Sequence, residues 1–212
     1  MSRVIVAGSE GLIGKHIVKL LEDRGDECLK LDAKLDHELT NEAFVAMFFG
    51  RSKADALINL FAFNDHVAPG EKRGTVFDLP LQSFRDCLEV NLTALFSVCR
   101  EYARNNESGT IINFGASTGI VSARTDMYGG NHKHVGYSVS KAGVIHLTKI
   151  LAAHFAPKIT VNCVSPGGIE HDQGPEFKAL YGSHTPLGRM ARLQDLDPII
   201  KMLLDPSNAY MT

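Results

Sequence analysis

The sequence lacks two features that would mark particular classes of binding protein. Its 22 Lys and Arg residues are set against 24 Asp and Glu, a formal net charge of -2. It therefore has no excess of positive charge to hold a nucleic-acid backbone. Charges or glycines interrupt its apolar runs well before the roughly 20 residues that a membrane span needs. We therefore expect neither nucleic acid nor a membrane among its partners.

Cysteine is scarce, and its spacing suits neither a zinc site nor a redox pair. The four cysteines are Cys28, Cys87, Cys99 and Cys163. We interpret them as buried, reduced thiols. The chain start, MSRVIVAGSEG, has no basic region leading into a long apolar stretch, as a secretion signal would. We therefore expect a cytoplasmic protein.

Short β-branched runs alternate with longer amphipathic stretches along the 212 residues. This order predicts right-handed βαβ units. We expect an α/β fold: a Rossmann-type three-layer αβα sandwich with a mostly parallel sheet, formed as a single domain over residues 1–212. Three irregular stretches, 64–80, 118–136 and 167–185, each follow a predicted strand. Because ligands bind at the carboxyl ends of parallel strands, these stretches are predicted to wall a pocket.

A glycine-rich turn connects the first strand to the first helix. It reads Gly8-Ser9-Glu10-Gly11-Leu12-Ile13-Gly14. Gly8 allows the tight turn, Gly11 lets a pyrophosphate approach the backbone, and Gly14 lets the helix pack closely on the strand. Backbone N–H groups and the helix dipole then favour the anion. The pattern predicts a dinucleotide site.

Asp32 follows the second strand, where a carboxylate would bind the adenosine ribose hydroxyls. A 2′-phosphate there would meet Asp32, and Glu10 adds to the repulsion. We therefore predict NAD, with NADP less favoured. Lys34 is the counter-evidence, since it could help to hold a phosphate.

Tyr137 and Lys141 stand four residues apart at the start of a predicted helix and share one face. Bringing a tyrosine from a pKa near 10 to about 7 needs roughly 4 kcal/mol. A positive charge at about 4 Å supplies roughly that much at an effective dielectric of 20. Lys141, helped by an oxidised nicotinamide ring, could therefore make Tyr137 an acid/base.

Several motifs, taken in order, resemble the short-chain dehydrogenase/reductase family over nearly the whole chain. They are GSEGLIG, DALINLFA, NLTALF, GTIINFGASTG, YSVSKAG and VNCVSPGGI. The resemblance implies that Tyr137 is the acid/base, that Lys141 also binds the nicotinamide ribose, and that Asn91 supports a proton relay. The alternative for Asn91 is a helix-packing amide with its hydrogen bonds satisfied. The resemblance further assigns cofactor contacts to Asn59, Leu60, Phe61 and Ala62, and to Pro166, Gly167, Gly168 and Ile169.

The sequence departs from the family pattern at the expected substrate-orienting serine. Ala116 occupies that position, and Ser117 follows it. Adjacent strand residues point to opposite faces, so Ser117 can substitute only if the chain leaves the extended conformation there. We predict that Ser117, or alternatively Thr118, supplies the hydroxyl as a catalytic group.

Two segments are also shorter than in relatives, one a connection between elements and the other the C-terminal segment. The 32–40 connection lacks room for a further helix and strand, so the sheet should lack a strand on that side. At the other end, relatives continue into a last strand after position 207. A missing C-terminal edge strand would expose unpaired backbone, to be covered by a partner or by further chain.

These features together predict reversible oxidation of a secondary alcohol to a ketone. The segments KAGVIHLTKILAAHFAP, VNCVSPGGIEHDQ and TPLGRM look like a bacterial subgroup linked with flagellin and surface-glycan biosynthesis, including nonulosonic acids. A polar sugar or sugar derivative is therefore the expected small-molecule substrate. The polar loop residues Asn64, Asp65, His66, Arg124, Asn131, His132, His134, His171, Asp172 and Gln173 would suit such a ligand, although solvent demands the same polarity. His132 and His134 lack a third ligand, so we predict no metal.

Two other functions remain open. The glycine spacing also matches sugar-nucleotide epimerases and dehydratases of the extended branch, which usually carry a larger substrate region. Ala116 leaves room for a non-catalytic NAD-binding regulator. We also expect a homodimer or homotetramer through helices near 81–102 and 137–155. Their apolar residues exceed one narrow stripe and include Leu92, Leu95, Phe96, Val144, Ile145, Leu147 and Ile150.

Overall fold

A computed structural model describes residues 1–65, 75–128 and 132–212. Five strands form one parallel sheet in the order β2-β1-β3-β4-β5. The strands are β1 (Arg3–Ala7), β2 (Glu27–Leu31), β3 (Ala56–Asn59), β4 (Gly109–Phe114) and β5 (Ile159–Val164). The helices are α1 (Leu12–Asp23), α2 (Glu42–Arg51), α3 (Leu81–Leu88), α4 (Ala94–Asn105), α5 (Val135–Phe155), α6 (Pro175–Ser183) and α7 (Asp197–Leu203). The parallel sheet and its alternation with helices confirm the predicted fold class.

The two faces of the sheet carry separate apolar layers, because successive strand residues point to opposite sides. Ile5 and Ala7 of β1 belong to a cluster with residues of α2, α4 and α5. Val4 and Val6 belong to a second cluster with residues of α1 and α7. The sheet is therefore covered on both faces, as the apolar strands require.

The two edges of the sheet are the places where a strand was expected to be missing. On one side β2 is the edge strand, and the 32–40 connection contains only a 3₁₀ turn, Ala33–Leu35. Among the described residues β5 forms the other edge. Two of its residues contact the C-terminus: Val161 N donates to Thr212 Oγ1 at 2.9 Å, and Asn162 Nδ2 donates to the Met211 carbonyl at 2.9 Å.

Two local predictions need correction. The expected continuous helix at 81–102 is interrupted by a π-helical turn, Glu89–Thr93, between α3 and α4. The 167–185 stretch, expected to be irregular, contains α6. Pro175 stands in the first turn of this helix, and Glu176 complements the helix dipole there. These two residues are typical of a helix start, but the neighbouring glycines and histidines indicated a loop.

Among the described helices, none is both long enough and apolar enough to cross a lipid bilayer.

Candidate active site

A cleft of about 1050 Å³ lies at the carboxyl ends of the strands, where the topology predicts a ligand site. The glycine turn forms one part of its wall, and the start of α5 and the loop after β5 form another. Its lining includes Gly8, Gly11, Leu12, Ile13, Gly14, Leu60, Ala62, Ala116, Ser117, Tyr137, Lys141, Pro166, Gly167, Gly168 and Ile169. The cleft therefore brings together most of the residues predicted from distant parts of the sequence.

The glycine turn has the geometry that its three glycines predict. Gly8 has a φ of +88°, and a Cβ there would collide with the backbone of Phe61. A Cβ on Gly14 would collide with the Gly8 carbonyl. At Gly11 the nearest atom, the Gly8 carbonyl oxygen, would stand 3.4 Å from an added Cβ, an ordinary contact. Gly8 and Gly14 thus shape the turn, whereas Gly11 leaves an open approach to its backbone.

Asp32 lies behind this turn and holds it. Its Oδ2 accepts a hydrogen bond from Glu10 N at 2.8 Å, and its Oδ1 accepts one from Lys34 N at 2.9 Å. Lys34 Nζ donates to the Glu10 carbonyl at 3.4 Å. Ser9 and Glu10, which belong to the turn, and Asp32 beside it are not among the residues that line the cleft. A carboxylate thus stands next to the glycine turn, at the position predicted for a ribose contact.

Tyr137 and Lys141 both face the cleft from the first turns of α5. Lys141 Nζ donates to the Phe114 carbonyl at 2.7 Å and lies 5.7 Å from the centroid of the Tyr137 ring. Burial lowers the pKa of Lys141 to about 8 and raises the pKa of Tyr137 to about 12. In the protein alone, burial therefore raises the pKa of Tyr137. The lowering expected from Lys141 together with an oxidised nicotinamide ring stays a prediction.

Asn91 sits in the π-helical turn and is 2% exposed. Its Oδ1 accepts a hydrogen bond from Phe63 N at 2.6 Å, while its Nδ2 donates to the Phe63 carbonyl at 2.9 Å and to Ser140 Oγ at 2.9 Å. The amide is thus fully engaged in fixing the loop after β3 against α5. These contacts fit the helix-packing alternative and use both side-chain N–H groups, and the relay role of Asn91 stays a prediction.

The segment after β3 divides between the core and the cleft. Asn59 is 3% exposed, and its Nδ2 donates to Asn113 Oδ1 at 2.9 Å inside the protein. Phe61 packs against the larger apolar cluster. Only Leu60 and Ala62 line the cleft. Alternation along the extended chain turns the side chains of Asn59 and Phe61 inward. The cofactor contacts predicted at these two positions would therefore be made by their main chain.

The chain leaves the extended conformation directly after Ala116. Ala116 is extended (φ -160°, ψ 156°), and Ser117–Gly119 form a 3₁₀ turn whose first N–H donates to the Pro166 carbonyl at 2.9 Å. Ser117 and Thr118 both line the cleft. Within the described part of the chain, the buried Thr118 Oγ1 has no hydrogen-bond partner. The conformational condition for a substitute hydroxyl is met.

A hydrogen-bonded series that sequence reasoning did not anticipate fixes the start of α5. His134, 5% exposed, caps the helix by accepting a hydrogen bond from Tyr137 N at its Nδ1, 3.2 Å away. Its Nε2 lies 2.8 Å from Ser83 Oγ, which donates to Asp65 Oδ2 at 2.8 Å. If Nε2 carries the proton, Nε2 donates to Ser83 Oγ, Ser83 Oγ donates to Asp65 Oδ2, and Nδ1 accepts from Tyr137 N. Every hydrogen bond of the series is then satisfied. The detectable signal was a histidine at the N-cap position, three residues before the tyrosine.

Two further cleft residues were missed. The Tyr181 hydroxyl, from α6, accepts a hydrogen bond from Gly168 N at 2.6 Å and so holds the predicted glycine pair of the cofactor wall. Lys133 Nζ lies over the Tyr137 ring, 4.5 Å from its centroid. Burial lowers the pKa of Lys133 to about 8. Neither residue belongs to a recognisable motif, so only the tertiary structure places them.

The polar loop residues are only partly gathered in the cleft. Those that line it are Asn64, Asp65, His132, His134, His171 and Gln173. Arg124 instead pairs with Asp126 at 2.7 Å, and Asp172 pairs with His171 at 2.9 Å, both at the surface. His66 and Asn131 lie outside the described residues. No group of three potential metal ligands was found within residues 1–65, 75–128 and 132–212.

Comparison with known proteins now gives the class. The model of the family described as enoyl-(acyl carrier protein) reductase matches residues 3–212. A 3-oxoacyl-[acyl-carrier-protein] reductase of Chlamydia pneumoniae is 31% identical over 208 residues, covering 94% of this chain and 78% of that protein. One from Aquifex aeolicus (strain VF5) is 29% identical over 222 residues, covering 100% of this chain and 83% of that protein.

Among solved structures, a short-chain dehydrogenase from Leptospira borgpetersenii with bound NAD+ matches with a TM-score of 0.84. It is 28% identical, and the match covers 99% of this chain and 88% of that one. The chain therefore belongs to the short-chain dehydrogenase/reductase family. It is accordingly an NAD(P)-dependent oxidoreductase acting on CH–OH groups.

Proposed function

We propose that this protein interconverts a secondary alcohol and a ketone with NAD. The observation that carries the proposal is the placement of Tyr137 and Lys141 in one cleft with the glycine turn. The Tyr137 hydroxyl would exchange the proton of the substrate hydroxyl. Lys141, held by the Phe114 carbonyl, would keep a positive charge beside the phenol and bind the nicotinamide ribose. Bound NAD would supply the hydride acceptor.

The residues present suit a dinucleotide. A Cβ would fill the turn at Gly8 and Gly14, whereas Gly11 leaves its backbone approachable. The pair Gly167 and Gly168 would contact the nicotinamide end, with Pro166 and Ile169 beside it. Asp32 and Glu10 place carboxylates at the ribose end, and the ammonium of Lys34 is directed to the Glu10 carbonyl. This arrangement favours NAD over NADP.

We further propose that Ser117 provides the substrate-orienting hydroxyl in place of Ala116, with Thr118 as the alternative. The 3₁₀ turn at Ser117 supports this role, because it releases the side chain from the alternation of the strand. Unchanged turnover in both S117A and T118A would reject both candidates. The Asn91 side chain is fully bonded, so we assign it the positioning of Phe63 and Ser140. Any relay through this turn would have to use its main chain.

The substrate class has two candidates. A polar sugar derivative is favoured by the histidines and amides along the cleft, including His132, His171 and Gln173. A 3-oxoacyl compound is favoured by the names of the relatives and by an aromatic group of Tyr128, Phe177 and Tyr181, whose rings lie 6.1–6.2 Å apart.

The test is NADH formation or consumption over a panel of sugars, secondary alcohols and 3-oxoacyl thioesters, with Y137F as the control. A loss of turnover of roughly 10²-fold or more in Y137F, with NADH binding retained, supports the proposal. Conversion of a sugar nucleotide without net NADH formation would support an epimerase or dehydratase. Binding of NAD without any turnover would support a regulator.

We also propose a homodimer or homotetramer formed through α4 and α5. Leu95 and Val144 of the predicted stripe are buried in the core, but Phe96 and Ile150 are 42% and 43% exposed, and Val139 is 46% exposed. These exposed apolar side chains on two adjacent helices support a contact with a second copy. A monomer by light scattering would refute it.

A further inference from the structure

Lys133 occupies a position that the proposed proton transfer does not use. Its ammonium group lies over the face of the Tyr137 ring, 4.5 Å from the centroid, and the side chain lines the cleft. A hydroxyl group bound to the Tyr137 phenol would therefore have neighbouring substituents within the reach of this flexible side chain.

The ammonium group of Lys133 has no ion-pair partner in the part of the chain that the structure describes. Among the described residues, no carboxylate forms an ion pair with this ammonium group, and no oxygen accepts a hydrogen bond from it. The two acidic side chains along the cleft are engaged or exposed elsewhere: Asp65 accepts from Ser83 at 2.8 Å, and Glu176 lies exposed on α6. The ring of Tyr137 is thus the principal contact of a cation that burial has partly desolvated.

Two other lysines of the described chain, Lys141 and Lys178, differ in this respect. Lys141, which also faces the cleft, donates to the Phe114 carbonyl at 2.7 Å. Lys178 of α6 pairs with Glu170 at 3.1 Å. A desolvated ammonium without an acceptor is costly, and an anionic ligand would remove that cost by a charge-assisted hydrogen bond.

We propose that Lys133 binds an anionic substituent, a carboxylate or a phosphate, on the substrate whose hydroxyl reacts at Tyr137. The inference rests on the proposed function and narrows its substrate class to acidic hydroxy or oxo compounds. It applies equally to an acidic sugar and to a hydroxy fatty acid, because both present an anion near a secondary alcohol.

The experiment measures binding to the NADH-loaded protein by calorimetry, using matched pairs of acid and neutral compound. The pairs are 3-hydroxybutyrate with 3-hydroxybutyramide, glucuronate with glucuronamide, and glucose 6-phosphate with glucose. We expect the anion of at least one pair to bind about 10- to 100-fold more tightly, as a charge-assisted hydrogen bond would give. The first two pairs report a carboxylate and the third a phosphate.

Substitution then assigns the preference to one side chain. K133Q should abolish it, K133R should retain part of it, and the control K178Q should leave it unchanged, since Lys178 is already paired with Glu170. A preference that survives in K133Q, or the absence of any preference in the unaltered protein, overturns the proposal. NADH formation is followed separately with the same compounds. A Lys133-dependent preference without Tyr137-dependent turnover would refute the proposed function and leave the anion site standing.

Discussion

The two ends of the cleft are built by different physical means. At the glycine turn, shape is decisive: Gly8 and Gly14 matter because neither leaves room for a side chain. At the start of α5, charge and hydrogen bonding are decisive: Lys141 is buried, Tyr137 and Lys133 are half-buried, and all three have shifted pKa values. The difference teaches that substitutions at the first end should act through sterics, and those at the second through electrostatics.

The largest expected effect comes from filling the glycine turn. G14A should abolish NADH binding and lower the melting temperature, since its Cβ collides with the Gly8 carbonyl. G50A is the matched control, because an added Cβ in that helix meets nothing within 4 Å. Fluorescence titration with NADH and thermal unfolding measure both variants. Normal NADH binding in G14A would show that the turn is not held by shape.

The next effect concerns the buried charge of Lys141. The pKa of Lys141 is about 8 in the folded protein, whereas the ordinary value, expected in the unfolded chain, is 10.5. Below pH 8 the buried ammonium group therefore lowers the free energy of unfolding. Since the unfolded chain binds more protons between these values, this cost is relieved as the pH rises from about 8 to about 10.5. K141M lacks this titration. We expect the free energy of unfolding of the unaltered protein to rise relative to K141M over that range, as measured by urea denaturation.

The comparison with K141M also controls for other groups. Cys28, Cys87 and Cys99 have raised pKa values, so their contribution to stability falls above pH 9 in both proteins. The difference between the two proteins cancels these contributions. A difference independent of pH would mean that Lys141 is not desolvated as the structure indicates.

A smaller effect is expected at the series that caps α5. S83A removes the hydroxyl between Asp65 and His134 and should cost about 1–3 kcal/mol of stability, because the Nε2 atom of the buried His134 loses its hydrogen bond to Ser83. If the series positions Tyr137, kcat should fall while NADH affinity stays unchanged. S122A, at an exposed loop, is the control. A fall in NADH affinity with constant kcat would place the effect at the other end of the cleft.

The smallest effect is expected at Asp32. D32N removes the negative charge and keeps at most one of the two hydrogen bonds that Asp32 accepts from Glu10 N and Lys34 N, because an amide has a single acceptor oxygen. We expect the ratio of the NADPH and NADH dissociation constants to fall by about tenfold or less. An exposed charge contributes about 1 kcal/mol to binding, which corresponds to a change of this size. Competition binding of the two cofactors measures it. An unaltered protein that prefers NADPH would contradict the assignment of Asp32.

Local and periodic patterns were sufficient for much of this protein. The alternation of apolar runs predicted the five parallel strands, and the spacing of Gly8, Gly11 and Gly14 predicted the turn. The four-residue interval between Tyr137 and Lys141 predicted a shared helix face. These features depend on residues close together in the chain, where backbone geometry alone fixes their relation.

Only the tertiary structure decided how the remaining side chains are used. The Asn59 side chain points into the core and donates to Asn113, and the Asn91 side chain donates to Phe63 and Ser140. The Tyr181 hydroxyl, from α6, accepts a hydrogen bond from Gly168. Lys133, which stands just before α5, lies with its ammonium group over the Tyr137 ring. The amides of Asn59 and Asn91 depend on partners tens of residues away. All of these outcomes also depend on burial, which changes the cost of a charge or an unpaired amide. The amino-acid sequence by itself determined the fold and the location of the cleft, whereas packing determined which of its polar groups are free to act.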